Sequence, residues 1–302
     1  MSNMRISERN YAMSSLDGLQ SSSSRLVALQ SQLASGRQIT RPSDNPAGTA
    51  TAMALRSQLR RIDQYTANAS DALGWLTQVD TSLSSTNSQL QQVRTLVLQA
   101  SNTGTSSAAT AATLANQVQL ARDSLVSTAN SQYLGRPIFG GTTTGSSAFS
   151  VSGSGASATV TYAGDTGSVT RTVDDNTTVQ VNQLGTAVFG ADGSNLFDLL
   201  NTISTDMTSN PAALSTDLSN LDTAMKTISS QQALAGSTYA RIQNLQASTG
   251  TVTTQLKSQL SDLQDIDVAD LAVQVSAANV AYQAALQTTA KIRQTSLLDF
   301  LR

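Results

Sequence analysis

Residues 55–97 read LRSQLRRIDQYTANASDALGWLTQVDTSLSSTNSQLQQVRTLV, and one period runs through them: Leu55, Ile62, Ala69, Leu76, Leu83, Leu90 and Val97 are apolar at strict sevens. A sustained seven-residue repeat is the mark of a helix that keeps one seam against a neighbour. The alternate positions, taken four residues on, are mixed: Leu59 and Leu73, but Thr66, Asp80, Asn87 and Arg94. Proline, which breaks a helix interior, occurs only at 42, 46, 137 and 211, so 47–136 and 212–302 are open to long helices. A helix over 47–101 would be roughly 80 Å long at the usual rise per residue. The pattern predicts a rod.

A second seam lies further along the chain. Leu214, Leu218, Leu221, Met225, Ile228, Gln232, Ala235, Tyr239 and Ile242 begin a series of alternating fours and threes that continues to Leu263. Asn210-Pro211 is predicted to open it, with Asn as N-cap and Pro at the first helical position. A shorter helix near 107–134 sets Leu114, Val118, Ala121 and Leu125 on one face, with Asn102-Thr-Gly-Thr105 as the turn that folds it back. Three matching seams bury one another most simply as an antiparallel bundle.

Residues 136–195 lose the helical spacing. Glycines cluster there, and the β-branched runs 158–162, 168–173 and 178–181 appear. The first two are predicted to pair as a hairpin through Ala163-Gly-Asp-Thr-Gly167. The expected fold is therefore mainly α with a small β-rich insertion, an elongated antiparallel helical bundle or coiled coil formed by the N- and C-terminal regions. Three regions follow: a terminal coiled-coil assembly region (1–45 with 264–302), a helical bundle (46–135 with 196–263) and a β-rich central domain (136–195).

Each end of the chain carries a seam of its own. Residues 12–35 place Leu16, Leu19, Ser23, Leu26, Gln30 and Leu33 in register, and Gly36 is a helix stop. Asp267 reads as an N-cap with Asp270 at the third helical position. Val268, Leu271, Val275, Ala278, Tyr282, Ala285, Thr289 and Ile292 follow at heptad spacing, ending in Ser296-Leu-Leu-Asp-Phe-Leu301. Isolated helices of this length are marginal in water, so packing must hold them. Tyr282, Leu286, Ile292, Leu297, Leu298 and Phe300 exceed what Leu16, Leu19, Leu26, Leu29 and Leu33 can cover, so the remainder is expected to meet another chain.

Composition narrows the chemistry. There is no His and no Cys, Glu8 is the sole glutamate, and 43 Ser with 38 Thr make over a quarter of the 302 residues. Thiol nucleophiles, His-based acid–base pairs and His/Cys zinc sites are excluded. Asp262, Asp265, Asp267 and Asp270 read as helix-start acids rather than a metal site, so no catalytic, cofactor or metal residue is assigned. A net charge of −2 with 4% aromatic residues gives neither the basic face nor the stacking platform of a nucleic-acid binder. No run approaches the ~20 apolar residues of a membrane span. The N-terminus lacks the apolar core of a cleavable secretory signal, which fits a cytoplasmic protein or export without processing.

Several stretches resemble one family. Met4-Arg-Ile-Ser7, Leu33-Ala-Ser-Gly-Arg-Gln-Ile-Thr-Arg-Pro-Ser-Asp-Asn-Pro-Ala47, Tyr133-Leu-Gly-Arg-Pro-Ile-Phe-Gly-Gly-Thr142, Tyr162-Ala-Gly-Asp165, Tyr282-Gln-Ala-Ala-Leu-Gln-Thr-Thr-Ala-Lys-Ile292 and Ser296-Leu-Leu-Asp-Phe-Leu301 are similar to the hook-associated protein 3 family, the hook–filament junction branch of the flagellins. Its loop motif would be Gly36, Pro42, Ser43, Asp44, Asn45 and Pro46. Asn45 stands where that family commonly has Asp, and either caps a helix. The resemblance implies a structural protein rather than an enzyme, without cofactor. It implies a homo-oligomeric ring between hook-associated protein 1 and flagellin, a flagellar export chaperone, unprocessed type III export and an extracellular place at the hook–filament junction. It puts the assembly interface on Ile6, Leu16, Leu19, Leu26, Leu33, Val275, Tyr282, Leu286, Ile292, Leu297, Leu298 and Phe300. Flagellin itself is the near alternative; a cytoplasmic signalling coiled coil is the alternative from another class.

Overall fold

The computed structural model describes the backbone of residues 2–102 and 107–300, with side chains at 10, 13–102, 107–155 and 157–291. The expected turn at 102–105 therefore falls mostly outside the described residues. Helices α1 (Ser2–Ser35), α2 (Pro46–Asn102), α3 (Ala108–Ala129), α4 (Gly185–Phe189), α5 (Leu196–Ser209), α6 (Leu214–Gln264) and α7 (Val268–Phe300) dominate. Three short antiparallel strand pairs interrupt them between α3 and α4: β1 (Gln132–Tyr133) with β2 (Arg136–Pro137), β3 (Phe149–Ser152) with β4 (Thr159–Tyr162), and β5 (Thr170–Asp174) with β6 (Thr177–Gln180). The chain forms two compact units, one of 1–61 with 252–302 and a larger one of 62–251.

In the larger unit the seven-residue seam of α2 is the core: Ile62, Ala69, Leu76, Leu83, Leu90 and Val97 are all buried. Its companion stripe lies three residues on, not four. Ala72, Val79, Thr86 and Val93 are buried, whereas Thr66 and Asp80 are exposed and Leu73, Asn87 and Arg94 half-buried. The partner helix explains the difference. Arg94 Nε donates to Asp222 Oδ1 at 2.8 Å, and Gln232 Nε2 donates to Asp80 Oδ1 at 2.9 Å. The four-on positions therefore form a polar border of the α2–α6 seam. Gln246 bonds Ser70 across the same border, so positions fall along α2 as they rise along α6, and the two helices are antiparallel. α6 buries Leu214, Leu221, Ile228, Ala235 and Ile242, again at sevens.

Two local expectations are corrected. α6 starts at Leu214 rather than at Pro211, because Pro211–Ala213 closes a 3-10 turn and the Asn210 side chain makes no capping bond. The helix α5 just before it went unforeseen. Its capping box is explicit: Asn195 Oδ1 accepts from Asp198 N at 2.9 Å, and Asp198 accepts in return from Asn195 N. Leu196, Leu200, Ile203 and Met207 form its buried stripe.

The predicted hairpin between 158–162 and 168–173 does not form. β4 pairs instead with β3, from Phe149↔Tyr162 to Ser152↔Thr159, and β5 turns back through Asp175-Asn176 onto β6. Phe149 explains the choice of partner. Its ring meets those of Tyr162, Phe189 and Phe197 at 5.2–5.4 Å between centroids, so pairing β3 with β4 closes an aromatic core, where such contacts add to burial. Asp165, in the would-be turn, accepts from the Thr142 backbone and hydroxyl at 2.6 and 2.5 Å and from Gly167 N at 2.9 Å. The Thr142 hydroxyl first, then these amides, hold its carboxyl below the ordinary range.

Candidate assembly surface

The smaller unit is built from α1, α7 and the ends of α2 and α6. Its loop, 36–45, is set by short polar side chains. Gly36 takes φ +67, a left-handed geometry that ends α1 as glycine readily does. Asp44 Oδ2 then accepts from Thr40 N, Thr40 Oγ1 and Arg41 N at 3.2, 3.0 and 2.8 Å. Those donors, the Arg41 amide foremost, hold the Asp44 carboxyl below its ordinary range. Asn45 Oδ1 accepts from Gly48 N at 2.8 Å, so Asn45 caps α2 and Pro46 is its first residue. Pro42 and Ser43 lie exposed in the bend.

The loop is tied to the α6–α7 junction. Gln38 N donates to Gln264 O at 2.7 Å, the backbones of Arg37 and Asp265 pair as an isolated antiparallel β-bridge, and Arg56 Nη2 donates to Gln264 Oε1 at 2.7 Å. Past it, Asp267 Oδ1 accepts from Ala269 N and Asp270 N at 2.9 and 3.2 Å, the foreseen N-cap of α7. The Asp270 carboxylate bonds Gln274 Nε2 at 2.7 Å. Ser15 and Thr289 meet at 2.8 Å. Together with the Arg37–Asp265 bridge this makes α1 and α7 antiparallel.

Among the described residues this pair covers one face of each helix. Leu19, Leu26 and Leu29 of α1, and Val275, Ala278, Tyr282, Ala285 and Thr289 of α7, are half-buried between them. Leu29 takes the place the sequence reading gave to Gln30, which is exposed. Leu16, Leu33 and Leu286 are exposed by 54%, 38% and 43%, so the expected interface residues divide into an inner set and an outer one. Ile6, Ile292, Leu297, Leu298 and Phe300 lie outside the described side chains.

The outer set has members the seams did not name. Met13 and Val27, two heptads apart on α1, are each 60% exposed, and Val273 and Val280, one heptad apart on α7, are 68% and 64% exposed. At 100° per residue, Val273 and Val280 fall opposite the Val275–Tyr282 stripe. Their own seven-residue spacing was the available signal. Among the described residues of this unit the buried apolar side chains are Ala52, Leu256 and Leu271 alone. None lies on α1. Among the described residues no helix is long and apolar enough to cross a membrane.

Comparison with known proteins agrees with this layout. The bacterial flagellin N-terminal helical region matches residues 6–144, and the bacterial flagellin C-terminal helical region matches 218–301. A flagellar hook-associated protein 3 of Salmonella typhimurium is 27% identical over 324 residues, covering 99% of this chain and 100% of that one. A flagellin of Bacillus subtilis is 27% identical over 317 residues, covering 99% and 100%. Among solved structures, flagellar hook-associated protein 3 from Legionella pneumophila superposes with a TM-score of 0.62 at 14% identity, over 70% of this chain and 98% of that one, a likeness of fold. The paired terminal helices, the long antiparallel seams and the small strand region thus lie on a chain matched at both ends by the same family's two helical regions, and the chain belongs to the bacterial flagellin family.

Proposed function

We propose that this chain is a structural component of the flagellum at the hook–filament junction, a mechanical adaptor without catalytic activity. One observation carries the reading. The smaller unit buries three apolar side chains among its described residues, while Met13, Leu16, Val27, Leu33, Val268, Val273, Val280 and Leu286 stand exposed on its two terminal helices. Helices so thinly covered gain most of their stability from a further partner. Here that partner is a neighbouring copy in a ring, with hook-associated protein 1 on one side and flagellin on the other. Before assembly an export chaperone covers the same faces of α7, and the chain leaves the cell unprocessed by the flagellar type III route. Residues 1–45 with 264–302 form the assembly region. Residues 46–135 with 196–263 supply stiffness, and 136–195 the β-rich surface.

A strain lacking the gene tests this. It is expected to build hooks while shedding flagellin into the medium; normal filaments, or missing hooks, would contradict the junction role. The alternative role is that of a filament subunit. In that case the medium would contain no flagellin.

A further inference from the structure

Among the described residues Leu134 is the one non-glycine with a positive φ, at +48, and it is 81% exposed. It shares the turn of the β1–β2 hairpin with Gly135, at φ +78, where Tyr133 pairs with Arg136. Two-residue turns of this handedness are normally filled by Asn-Gly or Asp-Gly. A leucine there meets a steric penalty and, so exposed, gains little from burial. The base of the hairpin is firmly seated. The Tyr133 and Trp75 rings meet at 5.6 Å between centroids, the Arg136 guanidinium lies 6.0 Å over Trp75, and Arg136 Nη2 donates to Thr142 O at 3.1 Å. α2 carries a glycine in its interior to admit it: a Cβ at Gly74 would fall 2.4 Å from Tyr133 Oη, although glycine inside a helix is itself unfavourable. A rigid base thus holds an apolar tip out in water, in a conformation its own side chain resists. Backbone strain of this kind persists where it serves a function.

A groove lies on the other flank of α2, within the same unit. Leu76 floors it, the segment joining β6 to α4 supplies Val181, Leu184 and Ala187, and α6 supplies Leu234 and Ala235; its volume is about 320 Å³. Gln183 Nε2 donates to Gln231 O at 2.7 Å and ties the loop wall to the helix wall, so the groove is preformed. It opens at Ala187, which is exposed, and at Leu234, which is 55% exposed. Gly74 beneath the hairpin and Leu76 beneath the groove project about 200° apart, and less than one turn apart along the axis. Tip and groove therefore stand at one level on opposite flanks of one helix.

We infer that Leu134 of one copy seats in the Leu76–Leu234 groove of the next, a head-to-tail contact between the larger units of neighbouring chains. The inference rests on the ring reading above. A knob and a hole on different faces of one chain repeat from copy to copy, and the series closes when each step is a rotation. Tip and groove at one level supply rotation with little rise. One leucine and its turn cover far less than the ~1,200–2,000 Å² of a stable interface, so the contact does not pair free chains. It acts between copies already held side by side, where the effective concentration is high. Leu134 thus serves the neighbour and burdens the monomer.

Leu134→Asn tests this through two effects of opposite sign, because Asn suits the left-handed turn and lacks the apolar tip. Thermal unfolding of the full chain is followed by the fluorescence of Trp75, the single tryptophan, which is 1% exposed in the larger unit. The midpoint should rise by about 1–4 °C, while cells carrying the variant release about twofold more flagellin, or more, into the medium. Leu134→Met, which keeps an apolar tip, should hold its filaments as wild type does. The chain has no cysteine, so Leu134→Cys combined with Ala187→Cys reports the contact alone. Treated with a short bismaleimide on intact flagella, the double variant should give a ladder of linked copies that neither single variant gives. A lowered midpoint or wild-type flagellin release with Leu134→Asn would overturn the contact. So would a missing ladder on flagella whose filaments stay attached, or a ladder from Leu134→Cys alone. None of these results touches the junction reading, which fails instead if the strain lacking the gene keeps its filaments.

Discussion

At the residue scale, Asp44 and Gly185 mark the two limits of what a sequence tells. Asp44 works on its neighbours: it gathers the Thr40 and Arg41 amides and the Thr40 hydroxyl, a short-range task that Ser-Asp-Asn-Pro announces by residue type. Asp44→Ala is expected to speed hydrogen exchange at the Thr40 and Arg41 amides by about tenfold or more, without moving the Trp75 melting midpoint; unchanged exchange would show that the bend holds itself. Gly185 carries no local signal, since its constraint comes from side chains far away in the chain. A Cβ there would lie 2.7 Å from Tyr162 Cε2 and 2.8 Å from Phe149 Cζ, while Gly185 N already donates to Phe139 O at 2.9 Å. Gly185→Ala should lower stability by about 1–3 kcal/mol through overpacking, read as a fall of several degrees in the same midpoint.

At the scale of elements, the long helices were legible because their period repeats often enough to outweigh Thr, Asn and Gln in the seam. Which flank of the seam is buried was not legible. That depends on Asp222 and Gln232 of a helix more than a hundred residues on, which hold Arg94 and Asp80 at the border. The strands show the same limit, since β-branched runs mark strands and not partners, and the partner of β4 was decided by the ring of Phe149. α5 is a different case. Asn195-x-x-Asp198 ahead of Leu196, Leu200, Ile203 and Met207 is a readable helix start, overshadowed by the glycine-rich stretch before it. Asn195 is 1% exposed and also donates through Nδ2 to Val160 O at 3.0 Å, so one side chain caps α5 and fastens β4. Asn195→Ala should cost about 1–3 kcal/mol. Asn195→Asp, which keeps the cap and loses the β4 bond, should recover part of it. Equal loss in both would assign the whole effect to Val160.

At the scale of the whole molecule, the two units are held by different means. The larger has a continuous apolar core joined to the Phe139, Phe149, Phe189 and Phe197 rings. The smaller has backbone caps, a tied loop and three buried apolar side chains among its described residues. Composition excluded thiol and imidazole chemistry at once, but could not say which faces stay open, because exposure depends on where the partner helix lies. The seams named Leu16 and Leu286 and missed Val273 and Val280, which read as ordinary helix filler until their stripe is found uncovered. The most direct test of the assembly reading is the double variant Val280→Ser, Leu286→Ser, with melting followed by Trp75 fluorescence and circular dichroism and flagellin measured in the culture medium. The expected result is a midpoint within about 1 °C of wild type together with flagellin shed from the cells. A midpoint several degrees lower with filaments still attached would show that these residues belong to a folding core and that the terminal helices are not an assembly surface.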